Sequence, residues 1–245
     1  MISKQQQKYV QSLHNKKYRQ EYGEFIVEGQ KNILELVSSE YEIIEIFCSS
    51  AFEKILLQSL KKLPLHVGSE EQIQAISTQK NQTAGVAVVK IPVFDSKPKN
   101  QPLNLILDGI KDPGNLGTII RLADWYGLKQ IFCSADTVES FNPKVIAATM
   151  GSFCRIECHY VELTEYLKKV SGHTYGAYLG GKNIHEIRPE KDINLVIGSE
   201  SHGIRNEILP FISEKITIPG FGNAESLNAA VATGIILDNF SRFYN

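Results

Sequence analysis

Residues Ile218 to Ala232 read IPGFGNAESLNAAVA, a glycine-rich run that ends in small residues. The apolar positions from Lys215 to Ile218 predict a short strand, and the glycines that follow predict a loop. The small residues after Ser226 predict a helix whose side chains are unusually small. Small residues let the backbone approach a ligand closely, and a helix N-terminus offers unpaired N–H groups. The run therefore predicts a strand, loop and helix with a binding site at the loop.

Two earlier segments carry similar signals. One reads DPGNLGTIIR from Asp112 to Arg121, and the other reads GSESHGI from Gly198 to Ile204. In content, order and spacing the three segments resemble the signature motifs of the SpoU (TrmH) family of RNA ribose 2'-O-methyltransferases, in the SPOUT superfamily. Three motifs in one order are much less expected by chance than one. The resemblance covers the chain from about Leu103 to its C-terminus.

Apolar strands alternate with helices throughout this second half. The pattern predicts a parallel sheet covered on both faces, with all three motifs beyond the carboxyl ends of its strands. No GxGxxG follows the first strand, which disfavours a Rossmann-type enzyme. The predicted helices are Asn115–Tyr126, Pro143–Met150, Leu163–Val170, Ile204–Phe211 and Ser226–Phe243. The resemblance further implies a deep trefoil knot at the C-terminus, a feature that periodicity does not indicate.

The first part of the chain predicts a smaller α/β domain. Short apolar runs predict strands near Phe25–Gly29, Ile43–Ser49 and Gly85–Ile91, with helices over Gln30–Ser38 and Ala51–Lys62. The phrases GEFIVEG and GVAVV resemble the ribosomal-protein-like substrate-binding domain of many SpoU enzymes. The predicted fold class is thus α/β: a small ribosomal-protein-like α/β domain before a C-terminal parallel-sheet α/β domain with a deep trefoil knot.

Proline and lysine enrichment marks a linker between these domains. The predicted boundaries are an RNA substrate-binding domain over residues 1–95, a linker over 96–102, and a SpoU-type S-adenosylmethionine-dependent methyltransferase domain over 103–245.

The charge of the whole chain gives no nucleic-acid signal, because the formal net charge is -1. Its distribution is more informative. The first twenty residues hold no acid but several basic and aromatic side chains, which predict contacts with phosphates and bases or, equally, a solvated helix face. They are Lys4, Lys8, Tyr9, Lys16, Lys17, Tyr18 and Arg19.

Cysteine and hydropathy patterns predict a cytoplasmic protein. The four cysteines form no CxxC pair and no cluster with histidine, so we expect reduced thiols and no metal. Met1 leads into a Gln- and Lys-rich stretch rather than a signal peptide, and no apolar run is long enough to cross a membrane.

Asn115 and Arg121 are the first candidate catalytic residues. Asn115 follows a turn-forming Asp-Pro-Gly and suits a helix N-cap, while the resemblance implies that it holds the active-site loop or the acceptor ribose. Arg121 carries the only charge between Leu116 and Ala123. Residue types alone suggest a surface arginine or a pair with Asp124; the resemblance implies a contact with the RNA phosphate and the 2'-OH. A guanidinium gives up its proton only with great difficulty, so its part in proton uptake stays open.

The other candidate catalytic residues are Glu200, Ser226 and Asn228. Glu200 suits a carboxylate that fixes a loop or the arginine, or an acid that is favoured by a helix dipole. Ser226 suits an N-cap, whereas Asn228 inside an apolar helix asks for another role; the resemblance places it near the catalytic centre. His202 differs from the Gly or Lys frequent at its place in the family, and we assign it no catalytic role.

The resemblance implies S-adenosylmethionine as cofactor, bound mainly by backbone and apolar groups. The implied cofactor-binding residues are Leu179, Gly180, Gly198, Ile218 and Leu227. It also implies a homodimer, while the small residues of the last helix equally suit core packing.

Two other functions remain to be weighed. A catalytically silent RNA-binding protein would keep the fold but lose Arg121 or Asn228, and both are present. A nucleotide-binding enzyme would need a Walker lysine or an acidic metal cluster, and neither is evident. The sequence therefore favours methyl transfer to a ribose 2'-OH of structured RNA. Ribosomal RNA is preferred over tRNA as the partner, by analogy with enzymes that carry such an N-terminal domain.

Overall fold

The computed structural model describes residues 2–58, 62, 64–81, 83–95, 99, 101–189 and 192–243. Their packing divides the chain into two compact units. The first unit comprises Met1–Val93 and Glu139–Cys154, and the second comprises Phe94–Val138 and Arg155–Asn245.

Helices and strands are numbered along the chain. The helices are α1 (Lys4–Ser12), α2 (Lys16–Tyr22), α3 (Gln30–Val37), α4 (Ser50–Leu56), α5 (Glu70–Ile76), α6 (Pro113–Trp125), α7 (Pro143–Thr149), α8 (Leu163–Leu167) and α9 (Ala229–Ser241). The strands are β1 (Glu24–Glu28), β2 (Ile43–Ser49), β3 (Leu65–Gly68), β4 (Gly85–Lys90), β5 (Leu103–Asp108), β6 (Gln130–Ser134), β7 (Glu157–Val161), β8 (His173–Asn183), β9 (Ile193–Gly198) and β10 (Glu214–Thr217).

The first unit is built on a four-stranded mixed sheet in the order β1-β4-β2-β3. Strands β1 and β2 both pair antiparallel with β4, and β2 pairs parallel with β3. Alternate residues of each strand point to opposite faces. One face buries Phe25 and Val27 with α3 and α4, and the other buries Ile26 with Val10 of α1 and Ile73 of α5. This small α/β unit agrees with the predicted architecture.

The segment Glu139–Cys154 packs in the first unit, although the predicted boundaries place it in the domain over 103–245. Arg19 is nearly fully buried, and its guanidinium forms two hydrogen bonds to Glu139, of 2.9 and 3.1 Å. The ring of Phe141 lies 4.5 Å from that of Phe25. Sequence order alone could not indicate that this segment returns to the earlier unit. The predicted linker, 96–102, falls largely outside the described residues.

The second unit contains a six-stranded sheet in the order β10-β8-β9-β5-β6-β7, and every pairing is parallel. The central strands β5 and β9 are buried along nearly their whole length. One face packs on α8 and on the segment around Ile204 and Ile208. Helices α6 and α9 pack on each other, with the Gly234 backbone against Leu122. The parallel α/β sheet predicted from the alternating pattern is confirmed.

Several predicted element bounds are wrong. Helix α6 begins two residues before Asn115, and α9 begins at Ala229 rather than Ser226. The helix predicted over Ile204–Phe211 is only a three-residue 3-10 turn, Leu209–Phe211. Pro210 lacks the N–H that an α-helix would need there. The edge strand β7 was not predicted because its side chains are mostly polar and only partly buried.

Within the described ranges, no helix combines the length and the apolar character needed to cross a bilayer.

Candidate active site

Asn115 lies in the first turn of α6. The carboxylate of Asp112 caps this helix by accepting a hydrogen bond of 2.8 Å from the Asn115 backbone N–H, and Pro113 occupies the first helical position. Both choices are favourable at a helix start. The predicted N-cap role of Asn115 is therefore wrong: Asp112 satisfies the backbone, which leaves the Asn115 side-chain amide available for other contacts.

Glu200 lies in a tight loop at the end of β9. Ser199 and Gly203 exchange two backbone hydrogen bonds, of 3.1 and 2.9 Å, which close the loop on itself. Gly198 is required just before it, since a Cβ there would lie 2.1 Å from the Gly203 carbonyl carbon. The closed loop displays Glu200 to solvent.

Asn228 is the N-cap of α9. Its Oδ1 accepts hydrogen bonds from the backbone N–H groups of Ala230 and Val231, at 2.9 and 3.3 Å. The prediction that Ser226 caps this helix is wrong, because Ser226 lies two residues before the cap in an exposed loop. The Asn228 side chain thus caps the helix through its oxygen, which leaves its amide N–H groups available for another contact.

One chain of hydrogen bonds joins the three motifs. The Asn228 side-chain amide donates to Asn115 Oδ1 over 2.8 Å. The Asn115 amide in turn donates to the Glu200 carboxylate. Each residue belongs to a different motif, and Asn115 lies in the middle. The structure therefore brings together three of the five predicted catalytic residues.

Arg121 and Ser226 do not belong to this cluster. Arg121 is exposed on α6, six residues beyond Asn115, so it lies about 9 Å further along the helix axis. No hydrogen bond or ion pair to any described residue engages its guanidinium. Asp124, the alternative partner considered from sequence, pairs instead with Arg155 at 2.9 Å.

Four of the five predicted cofactor-binding residues lie in or just after the carboxyl-terminal part of three adjacent strands. Leu179 and Gly180 lie in the last part of β8, Gly198 ends β9, and Ile218 follows β10, while Leu227 precedes α9. Strands β10, β8 and β9 are neighbours in that order. Leu179 is 70% exposed and Leu227 is 48% exposed, which is unusual for leucine. Two exposed leucines and two glycines suit an adenosine moiety, because the glycines permit its close approach to the backbone.

The hydrogen bonds of His202 among the described residues go to its own loop and not to the cluster of Asn115, Glu200 and Asn228. Its Nδ1 lies 2.7 Å from the Ser201 hydroxyl, and its backbone N–H donates to Ser199 Oγ. These contacts fit the loop position assigned from sequence.

A charged network that sequence reasoning missed lies beside the cluster. Asp108 ends β5 and pairs with Arg205, whose Nε lies 2.6 Å from Asp108 Oδ1. Asp136 pairs with Lys111 at 2.7 Å. Hydrogen bonds from Lys111 and from the Ser134 hydroxyl lower the pKa of Asp136 to about 2. The position of Asp108, an acid at the end of an apolar strand, is the signal in the sequence that could have identified it.

Among the described residues, no group of three or more His, Cys, Asp or Glu side chains has an arrangement that could hold a metal ion.

One protein-family model covers all three motifs. The SpoU rRNA Methylase family model matches residues 102–238, more than half of the chain. The chain belongs to the SpoU rRNA methylase family. A second model, the MRM3-like substrate binding domain, matches residues 4–87.

Similar SpoU-family proteins include enzymes named for ribosomal RNA. The chain is 29% identical over 230 residues to the 23S rRNA (guanosine(2553)-2'-O)-methyltransferase RlmP of Bacillus subtilis, covering 92% of this chain and 91% of that protein. It is 32% identical over 203 residues to the 23S rRNA (guanosine-2'-O-)-methyltransferase RlmB of Blochmanniella floridana, covering 75% and 79%.

Solved structures of similar proteins extend the likeness to the full length. A TrmH-family protein from Porphyromonas gingivalis is 33% identical with a TM-score of 0.85, covering 99% of each chain. An AdoMet-bound rRNA methyltransferase from Sinorhizobium meliloti is 27% identical with a TM-score of 0.86, covering 100% of this chain and 97% of that one.

Proposed function

We propose that this SpoU-family protein transfers a methyl group from S-adenosylmethionine to a ribose 2'-OH of structured RNA, with ribosomal RNA preferred over tRNA. The observation that carries the proposal is the hydrogen-bonded chain from Asn228 through Asn115 to Glu200. The ribosomal RNA preference is supported by the names of the relatives, several of which are 23S rRNA 2'-O-methyltransferases.

The reaction needs little covalent chemistry from the protein. When bound, S-adenosylmethionine supplies an electrophilic methyl group, and the protein must hold the 2'-OH in line with it and let the hydroxyl proton leave. Asn115 and Asn228 present side-chain amides at helix starts, and Glu200 presents a carboxylate from a closed loop. Their mutual hydrogen bonds fix all three side chains before any ligand arrives, which is the preorganisation that an in-line transfer requires.

Leu179, Gly180, Gly198, Ile218 and Leu227 are proposed to hold the cofactor. The exposed leucines would flank the adenine ring, and the glycines would let main-chain N–H and C=O groups reach its edge. No charged side chain is needed for this recognition.

Arg121 is proposed to bind the RNA phosphate beside the acceptor ribose and orient the 2'-OH. Its exposed guanidinium has no described partner, so both edges of the planar group are available for a phosphate. Because a guanidinium is not deprotonated in proteins, the proposed role is charge stabilisation and not proton uptake. Ser226 is proposed to contact the RNA or cofactor from the exposed loop before α9; it has no capping duty to compete with this role.

The first unit is proposed to bind RNA. The substrate-binding family model at residues 4–87 supports this assignment. Lys4, Lys8, Lys16 and Lys17 are all exposed on or beside α1 and α2. Arg19 is excluded from this surface because Glu139 and two backbone carbonyls bind its guanidinium.

Three further features are proposed from family membership: a trefoil knot at the C-terminus, a homodimer and a cytoplasmic location. The dimer is supported by Trp125 of α6 and Val231 of α9, which are 82% and 51% exposed on two helices that pack together. Exposed apolar side chains of this size favour a protein contact.

The proposal is tested by incubating the full-length protein with methyl-labelled S-adenosylmethionine and RNA from cells that lack this gene, followed by digestion to nucleosides. Label in a 2'-O-methylnucleoside is expected. If the label were confined to methylated bases, the reaction would be methylation of a base and not of a ribose. No label, together with no donor binding in calorimetry, would favour the silent RNA-binding function.

A further inference from the structure

The Asp108 carboxylate is buried at the carboxyl end of β5. Its side chain has no solvent exposure, and a buried carboxylate is costly unless it is paired and hydrogen-bonded. Arg205 supplies both kinds of contact. Its backbone N–H donates to Oδ2 over 2.8 Å, and its side-chain Nε donates to Oδ1 over 2.6 Å. One carboxylate thus binds both the main chain and the side chain of a single residue.

Arg205 follows directly on the loop that carries Glu200. That loop begins after Gly198, is closed by the bridge between Ser199 and Gly203, and reaches Arg205 two residues later. Gly198, just before the loop, pairs with Asp108 in the sheet, and Arg205, after the loop, binds the Asp108 side chain. Both ends of the loop are therefore held at the end of β5.

The segment that leads to Asn115 is bound to the same network. The Gly109 N–H donates to Ser134 Oγ over 2.9 Å, and Ser134 Oγ donates to Asp136 Oδ1 over 2.7 Å. Lys111 binds Asp136 at 2.7 Å, and Arg205 Nη2 lies 3.9 Å from Asp136. Asp136 therefore lies between the segment before α6 and the residue after the Glu200 loop.

We propose that Asp108 and Arg205 form a positioning pair, which holds the Glu200 carboxylate against the Asn115 amide so that the cluster is assembled before RNA binds. The inference rests on the proposed methyl transfer. Neither residue touches substrate in this account; both act through Glu200.

An exposed ion pair would contribute little, but this one is anchored by a fully buried acid and by a backbone hydrogen bond. The acids Asp136 and Glu207 lie within 4 Å of the Arg205 guanidinium. They make it a poor site for an RNA phosphate, which favours the positioning role over direct substrate binding.

The test compares Arg205→Ala, Glu200→Ala and the double variant in the full chain, with Lys168→Ala as the matched control. Lys168 also pairs with a carboxylate of the second unit, Glu165, but both side chains are exposed, and Lys168 is the C-cap of α8. Arg205→Ala is expected to lower kcat about tenfold or more while the donor Kd changes less than about twofold, as a misplaced group does. In a protein that already carries Glu200→Ala, Arg205→Ala is expected to lower kcat very little further, because the effects of coupled residues do not add.

A second measurement does not depend on activity. Hydrogen exchange at the Ser199 and Gly203 amides is expected to quicken about tenfold in Arg205→Ala and to stay unchanged in Lys168→Ala, because the loop end is released. If Arg205→Ala fails to fold, Arg205→Lys is measured in the same way and is expected to give a smaller change of the same sign.

Full additivity of the Arg205 and Glu200 effects on kcat would overturn the inference, and so would unchanged exchange in the loop. A wild-type protein that transfers no methyl group would instead contradict the proposed function, and the exchange measurement would still decide the positioning of the loop.

Discussion

The Asn228 side-chain amide donates a hydrogen bond of 2.8 Å to Asn115 Oδ1, although the two residues are 113 positions apart in the chain. Both lie at the start of a helix, Asn115 in the first turn of α6 and Asn228 as the N-cap of α9. The contact has a consequence for mutagenesis. A change at Asn228 alters both a helix cap and the site, so its variants must be chosen to separate the two effects.

Asn228→Asp is expected to keep the helix and lose the contact with Asn115. The carboxylate still accepts the N–H groups of Ala230 and Val231, but it cannot donate to Asn115. Asn228→Ala loses both contacts and is expected to cost about 1 kcal/mol of unfolding free energy. Urea unfolding and methyl-transfer kinetics separate the two effects. Asn228→Asp should unfold like the wild type but transfer methyl groups slowly. Asn228→Ala should be both less stable and slow in methyl transfer. Full activity of the Asp variant would remove the contact from the mechanism.

Asn115→Asp is expected to place a second carboxylate beside that of Glu200. Like charges raise the pKa of one member of such a pair, so the fold is destabilised above that pKa and relieved below it. The melting temperature of the variant, relative to wild type, should therefore rise as the pH falls from 7 to 5. Asn115→Ala is the control and should show no such trend. Parallel pH profiles for the two variants would contradict the close contact with Glu200.

Arg121→Ala is expected to lower kcat about a hundredfold, as the loss of a charge-stabilising donor does, with donor Kd nearly unchanged. Arg155→Ala is the matched control, because Arg155 is also partly exposed but is already paired with Asp124. Its activity should stay close to that of wild type. A variant without Arg121 that retains most of its activity would exclude the proposed phosphate contact.

Asp136→Asn is expected to flatten the acid dependence of stability. The Asp136 pKa is lowered to about 2 in the folded protein, first by Lys111 and then by Ser134. The unfolded value is about 3.9, so this carboxylate stabilises the fold above about pH 4 and loses that contribution as the pH falls towards 2. The melting temperatures of wild type and variant should converge between pH 5 and pH 2.5. A constant difference would contradict the Lys111 pairing.

Replacing Lys4, Lys8, Lys16 and Lys17 by alanine is expected to weaken RNA binding and leave donor affinity unchanged. If all four contact phosphates, the slope of log K against log salt should fall by about 3. This variant is preferable to deletion of residues 1–95, since the deletion would expose the buried side chains of Glu139–Cys154. An unchanged salt slope would place the RNA elsewhere.

The centre of the second unit's sheet was predicted well from the sequence because most residues of its central strands are apolar. Strands β5, β6 and β9 lie within one residue of the bounds predicted from the sequence, which are Leu103–Leu107, Gln130–Cys133 and Asn194–Ile197. The helix starts were less accurate: Asp112 and Asn228 perform the capping that was assigned to Asn115 and Ser226. Ser, Asn and Asp all suit an N-cap, and the choice between neighbours depends on where the backbone turns.

Long-range side-chain contacts were beyond sequence reasoning. The motifs indicated that Asn115, Glu200 and Asn228 share a site, but not that Asn115 bridges the other two. The Asp108–Arg205 pair could not be inferred either, because Arg205 was assigned to a helix that does not form. The buried state of Arg19 was missed for a similar reason, since its partner Glu139 is 120 residues away.

The most direct test is methyl transfer to ribosomal RNA and tRNA, separated beforehand from cells that lack this gene, by wild type and Arg121→Ala in parallel. The expected result is label in ribosomal RNA alone, mapped to one 2'-O-methylated nucleotide, and at least about a hundredfold less with the variant. Equal labelling by the two proteins, or no labelling of either RNA by a wild type that binds the donor, would contradict the account.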